Sequence, residues 1–302
     1  MKLHQLQALV AVVDQGSIRA AAREMHLTQA ALSKSLRLLE EEAGVALLVR
    51  QSRGVLLTDA GQRLHTRAKL VMRQLALAED DLRQHQGQDE GTVCVGLTPY
   101  LMFTVLGEAF VWFRKRYPRV ELRLVEGLVT RVLPGLRDGS LDFAIVADSG
   151  DVSAKEFAAT RLRKERQKLV VRAGHPVLAA PTAARLAELE WVLPGPFSQG
   201  LDPQQKAMFD RAGVPVPKCI TRCDAIAAMT LVSQSDAVSV MPEPLLGQVE
   251  SRDLVAVPPC MQPSDIELVL LSQPDVPLTP AAAYLARCLT DTIRAKGDAV
   301  KR

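Results

Sequence analysis

From Thr58 to about Gln86 the chain runs without a proline, and Leu64, Ala68, Val71, Leu75, Ala78 and Leu82 recur at alternating steps of four and three residues. Steps that average 3.5 residues keep every apolar side chain on one seam of a single long helix. Standing free, such a helix would expose its seam to water. The spacing therefore predicts a partner helix, and it predicts self-association through a dimer seam of Leu64, Val71, Leu75 and Leu82.

The long helix divides the chain. Before it, three short helices fit into 44 residues. Leu3, Leu6, Val10 and Val13 are expected on one face of the first, and Gly16 stops it. Ser17 can cap a second, in which Ile18, Ala21, Ala22 and Met25 fall at the spacing of a buried stripe, ending near His26. Thr28 offers a third cap, with Leu32, Leu36 and Leu39 as the inner stripe and Gly44 as the stop. The third helix turns Gln29, Ser33, Lys34 and Arg37 away from its leucines. Gln and Ser can bond base edges, while Lys and Arg reach phosphate or guanine, so this face suits the major groove. It also suits a plain solvated helix face. Arg50 to Leu57 reads as two short extended pieces around a glycine-bearing turn, a wing with Arg50 at its start and Arg53 at its tip.

Residues 1–73 hold 11 Lys/Arg against 6 Asp/Glu, a net +5, which leaves the other 229 residues at −2 in a chain of net +3. A basic head on a near-neutral body fits a module that binds a polyanion.

After the long helix, Gln86 to Gly91 forms a polar connector, and strands then alternate with helices. Apolar strands are predicted at 92–97, 120–125, 143–146, 168–171, 191–193, 237–240 and 266–271, with helices at 101–116, 129–137, 203–212 and 280–296. Such alternation predicts parallel sheets of α/β type. With 302 residues and 48% apolar content, two or three domains have cores to build.

Several function classes fall away. No apolar run approaches the roughly 18 residues of a membrane span, and no leader precedes the first helix, so a soluble cytoplasmic protein is expected. The five cysteines are scattered and odd in number, as in reduced structural thiols. Cys219 and Cys223 lack the second ligand pair of a metal site, and neither metal nor cofactor is expected. There is no Gly-rich phosphate loop, no G-x-S-x-G elbow and no nucleophile–base pair, which argues against an enzyme.

The stretch Gly16-Ser17, Ala21-Ala22, Met25, Leu27-Thr28-Gln29, Ala31-Leu32-Ser33, Leu36 and Leu39-Glu40, continued by Gly44, Arg50, Arg53-Gly54, Leu57-Thr58 and Gly61, resembles the winged helix-turn-helix of the LysR-type transcriptional regulators. Ala30, Ala43 and Leu48 stand where that family often has proline, leucine and phenylalanine. Leu136 to Ile145, His175-Pro176 and Met241-Pro242 are landmarks similar to those of its effector domain.

The resemblance implies a winged helix-turn-helix over 1–58, a linker and dimerisation helix over 59–87, and an effector domain over 92–302. The last is expected as two α/β subdomains like a type II periplasmic binding protein, lobe I from about 92–162 and 268–302, lobe II from about 163–267. It implies a DNA-binding set of Thr28, Gln29, Ala30, Ser33, Lys34, Arg37, Arg50 and Arg53, with double-stranded DNA, a small organic effector, and a homodimer or homotetramer as partners. A regulator modulated by its ligand is the reading, against a ligand-independent architectural DNA binder or a solute-binding protein or enzyme with an incidental helical head.

In that layout an effector sits between lobes, where strand ends meet helix N-termini and free N–H groups favour anions. Thr98, Pro99 and Tyr100, then Thr130, then Ser198, Gln199 and Gly200 fall at such places, and a helix cap is the alternative for each hydroxyl. Arg222 and Asp224 end another strand, facing either the cleft or a surface ion pair, and His175 is expected as a loop residue.

Overall fold

The computed structural model describes residues 1–51, 54–148, 156–195 and 201–299. They form two compact units, one of Met1–Gln86 with Arg137–Ser140, the other of Gly87–Leu136 and Leu141 onward.

In the first unit α1 (Leu3–Asp14), α2 (Ile18–Glu24) and α3 (Gln29–Ala43) precede a hairpin of β1 (Leu48–Gln51) and β2 (Gly54–Leu57), and α4 (Asp59–His85) follows. The caps are local chemistry. Ser17 accepts from Ala20 N–H at 3.2 Å, Thr28 from Ala31 at 3.1 Å and Thr58 from Gly61 at 3.0 Å. Gly44 ends α3 at φ +69°, a left-handed conformation that glycine adopts without cost. Ala21, Ala22, Leu32, Leu36 and Leu39 are buried together with Leu6, Leu9 and Val12. The face of α1 thus differs from the expected one: Leu3 is exposed, Val10 and Val13 are half-buried, and Leu9 and Val12 fill the core. Both stripes have apolar helical spacing, and packing against α3 selects between them.

The hairpin pairs Leu48 with Leu57 and Gln51 with Gly54, and Glu40 of α3 accepts from Leu47 and Leu48 N–H at 2.7 and 3.0 Å. Where α4 crosses this segment only glycine fits: a Cβ on Gly61 would lie 2.0 Å from the Leu47 carbonyl oxygen. His65 of α4 is buried, its Nε2 3.7 Å from Asp14 Oδ1 on α1. Burial holds its pKa below the usual histidine value despite the nearby Asp14 carboxylate.

The second unit holds two mixed sheets. In the first, β3 (Thr92–Leu97) runs parallel between β4 (Glu121–Glu126) and β5 (Phe143–Asp148). Then β12 (Ile266–Ser272) lies antiparallel between β5 and β6 (Ala158–Glu165), giving the order β4-β3-β5-β12-β6. Helices α5 (Pro99–Thr104), α6 (Leu106–Arg116) and α11 (Pro280–Ala299) contribute Leu101, Phe113, Leu285 and Leu289 to its core. On α7 (Val129–Arg137), Val132 and Leu136 pack into a second cluster with Ala144 and Val146.

The second sheet has β10 (Ser239–Pro242) and β11 (Leu254–Ala256) antiparallel on either side of β7 (Gln167–Arg172), and β8 (Trp191–Pro194) parallel to β9 (Ile220–Cys223). A bridge from Trp191 to Val238 joins the two pieces. Trp191 is its largest buried side chain; it donates from Nε1 to Leu186 O at 2.9 Å and meets the Phe209 ring edge-on at 4.7 Å. Helices α8 (Ala183–Ala187), α9 (Pro203–Ala212) and α10 (Ala225–Gln234) complete this lobe.

The expectation of parallel sheets is therefore corrected to mixed ones. The chain crosses between lobes twice, after β6 at Arg166 and again between β11 and β12, and the strands beside these crossings run against their neighbours. The first sheet keeps its strands up to Glu165, three residues beyond the expected lobe edge at 162, and resumes at Ile266 rather than 268.

Candidate functional site

On α3 the structure sets Gln29, Ala30, Lys34 and Arg37 exposed and Ser33 half-buried, opposite Leu32, Leu36 and Leu39. The hydroxyl of Thr28 caps the helix, so Gln29 stands in its first turn without the help of a proline at position 30. Arg37 pairs with Glu41 at 3.4 Å on the solvated surface, a bond worth little in water. Arg50 lies on β1; its side chain and the whole of Arg53 fall outside the described residues. Along α4, Val71, Leu75 and Leu82 are 46%, 41% and 64% exposed, whereas Leu64 is half-buried against the core of its own unit.

A cavity of about 260 Å³ lies between the two sheets of the second unit. Thr98, Pro99, Tyr100 and Thr130 line it, which brings four of the predicted effector residues to one place. Ser198, Gln199 and Gly200 fall outside the described residues. Thr98 is buried and its hydroxyl makes no cap bond to α5, so capping does not account for it. Thr130 sits second in α7 rather than at its cap.

The expected row of free N–H donors at the start of α5 is corrected here. Pro99 has no N–H, and that of Thr98 is spent on Ile145 O at 2.9 Å. Charge enters from the opposite lobe. Arg222, at the end of β9, lines the cavity and reaches Gln205 Oε1 from Nη2 at 3.4 Å. Gln205 is held in turn by the capping box of α9, accepting from Asp202 N–H at 3.3 Å. Phe103, Leu193, Met208, Met229 and Met241 supply apolar walls. Of the pair left open from sequence, Arg222 faces the cavity and Asp224 caps α10 through Ala227 N–H at 2.9 Å. Arg222 was signalled only by its place at a strand end, and Gln205 by its place in a helix-start motif. His175 is structural: its Nδ1 accepts from Val177 N–H at 2.9 Å.

Burial pushes the thiols of Cys223, Cys260 and Cys288 up from the ordinary cysteine value. No helix among the described residues is long and apolar enough to cross a membrane.

A helical reading head with a wing, carried in one chain with a two-lobed cleft, defines a ligand-responsive DNA-binding regulator. The chain belongs to the LysR family: residues 3–62 match the bacterial regulatory helix-turn-helix protein of the lysR family, and residues 86–294 match the LysR substrate binding domain. It is 26% identical over 257 residues to the HTH-type transcriptional regulator TdcA of Escherichia coli K12, covering 85% of this chain and 82% of that one. It is 28% identical over 297 residues to the hydrogen peroxide-inducible genes activator of Pectobacterium carotovorum, covering 97% and 96%. Its fold is similar to full-length CbnR complexed with its target DNA, at TM-score 0.68 and 19% identity over 97% of this chain and 100% of that one. The protein is thus a transcription regulator with a DNA-binding head and a small-molecule domain, and not an enzyme.

Proposed function

We propose that the cavity takes a small organic anion with an apolar body, and that its occupancy changes how this regulator holds DNA. Arg222 carries the reading. Its guanidinium lines the same cavity as the Thr98 hydroxyl, the Asp202 carboxylate there is spent on capping α9, and the other walls are largely apolar, an arrangement that suits one carboxylate or sulfonate on a hydrocarbon or ring. Anion attraction in this reading comes from a side chain rather than from a helix N-terminus.

The head would bind duplex DNA with Gln29, Ser33 and Lys34 in the major groove and Arg50 and Arg53 on the backbone or minor groove. Two copies, or four, would join through Val71, Leu75 and Leu82, in the cytoplasm. A ligand that touches both lobes favours one hinge angle, and only that differential affinity can reach the heads.

Two relatives are named as activators of hydrogen peroxide-inducible genes. Peroxide sensing through a thiol needs a low-pKa cysteine. Burial raises the thiols of Cys223, Cys260 and Cys288, which makes these three unsuited to that chemistry.

Calorimetry with a panel of carboxylates and sulfonates, run on wild type, Arg222→Gln and Thr98→Val, tests the site. Arg222→Gln removes a charge-assisted bond and lowers affinity about tenfold or more. Unchanged affinity in both variants places the effector elsewhere.

A further inference from the structure

Gln205 stands at a corner of the cleft where its carboxamide can point only one way. The start of α9 reads Asp202-Pro203-Gln204-Gln205, a capping box in which Asp202 Oδ1 accepts from Gln205 N–H at 2.7 Å and Gln205 Oε1 accepts from Asp202 N–H at 3.3 Å. The same Oε1 accepts from Arg222 Nη2 at 3.4 Å. Both neighbours are donors only. Turning the carboxamide over would set Nε2 against two N–H groups, so the network fixes which end is oxygen.

The Nε2 end is left with two N–H groups that make no hydrogen bond among the described residues, in the wall of the cavity that Arg222 also lines. Arg222 likewise carries donors and no acceptor. On its other side the chain passes close, since a Cβ on Gly195 would lie 3.4 Å from Nη1. This corner therefore offers a ligand two neighbouring sets of donors.

We propose that Gln205 is the second anion-binding residue of the cleft, a role that rests on the anion reading given above. Its Nε2 donates to an oxygen of the carboxylate or sulfonate held by Arg222, and the pair selects the ionised acid against the primary amide of the same skeleton. An ionised acid group presents only lone pairs and satisfies both residues. The amide brings an NH2 that must face a donor or turn away, and it lacks the charge that strengthens a bond to guanidinium. Because the capping box holds Gln205 before the ligand arrives, its rotamer freedom is not lost on binding. Gln205 on α9 and Arg222 on β9 belong to one lobe. The acid group thus sits on that lobe, and the body of the ligand meets Thr98, Tyr100 and Phe103 of the other.

Glutamate at position 205 separates this role from a structural one. It keeps the length, still accepts from Asp202 N–H and Arg222, and is the other residue favoured at the third position of a capping box, so α9 stays capped. What changes is the far end of the side chain, from donor to acceptor, and the Arg222 charge is neutralised.

The test is calorimetry on the full-length chain with benzoate, hexanoate and benzenesulfonate, each beside its primary amide. It is run on wild type, Gln205→Glu, Gln205→Met and Arg222→Gln, with a thermal melt of each. One or more of the acids should bind wild type, about tenfold or more tighter than its amide. Gln205→Met removes the carboxamide without adding charge and should lower acid affinity about tenfold. Gln205→Glu should lower it further while the amide does not weaken, so that the preference for the acid disappears with the melt unchanged. Acid binding that is weakened by Arg222→Gln but unaltered in both Gln205 variants would overturn the role of Gln205 and leave the anion reading standing. Equal loss of acid and amide in Gln205→Glu would make Gln205 a packing residue and overturn it as well. No acid bound, or acid binding indifferent to Arg222→Gln, would remove the anion reading and the Gln205 role together.

Discussion

Replacing Leu75 by glutamate should break the association made through α4. Val71, Leu75 and Leu82 keep 46%, 41% and 64% of their surface exposed in one chain, so about half of each side chain remains to be buried by a partner. Full burial of a Val or Leu side chain is worth about 1.5–3 kcal/mol, and three half-buried residues on each of two chains give about 6 kcal/mol before the cost of association. Leu75→Glu removes a third of that, about 2 kcal/mol, and places two carboxylates in an apolar seam at a further several kcal/mol. At about 1.4 kcal/mol per tenfold, the association constant should fall by at least a thousandfold. Sedimentation of the full-length chain over a wide concentration range reads this as the loss of one step, dimer to monomer or tetramer to dimer. A solvent-facing control such as Glu79→Gln leaves the distribution alone, since Glu79 is 62% exposed in its side chain. An unchanged mass distribution for Leu75→Glu would refute the seam.

Two further outcomes follow from the first unit. Gln29→Ala should lower preference for the best duplex over random DNA by about 1–3 kcal/mol, while Lys34→Ala weakens both duplexes and reduces the salt slope by about one; equal loss on both duplexes for Gln29→Ala would contradict its base-reading role. His65 should make the head sensitive to acid. Its pKa is lowered in the folded state, so the unfolded chain binds the proton more readily; stability is complete above the ordinary histidine value and declines as pH falls from there toward the lowered folded value. Urea melts from pH 8 to 5 should show that decline in wild type and less of it in His65→Gln; identical profiles would remove His65 from the account.

What could be read in advance was what local chemistry decides. Ser17 and Thr28 are caps wherever they stand before a helix, and the Leu32, Leu36 and Leu39 stripe has one inner side because polar residues fill the other. Leu3 and Val13 misled because α1 is apolar on more than one side, and only packing against α3 chooses Leu9 and Val12. The strand β6 escaped notice because Ala158 to Glu165 is mostly exposed and carries Arg161, Arg163 and Lys164, the composition of a sheet edge that avoids pairing with strangers. Thr98 and Tyr100 could be placed near a cleft because a strand end followed by a helix is a local pattern. Arg222 stayed open between the cleft and a surface ion pair, since sharing one cavity with Thr98 depends on how two lobes close across 124 residues of chain.

The central claim is that ligand in the effector domain and DNA on the head are linked. Fluorescence anisotropy with a duplex selected from a random pool would measure DNA affinity with and without a saturating carboxylate identified by calorimetry, on wild type and on Arg222→Gln. The account predicts a change in DNA affinity of about fivefold or more in wild type, matched by an equal change in carboxylate affinity when DNA is present, and a carboxylate affinity lowered about tenfold in the variant. A carboxylate that binds through Arg222 and leaves DNA affinity unchanged would contradict it.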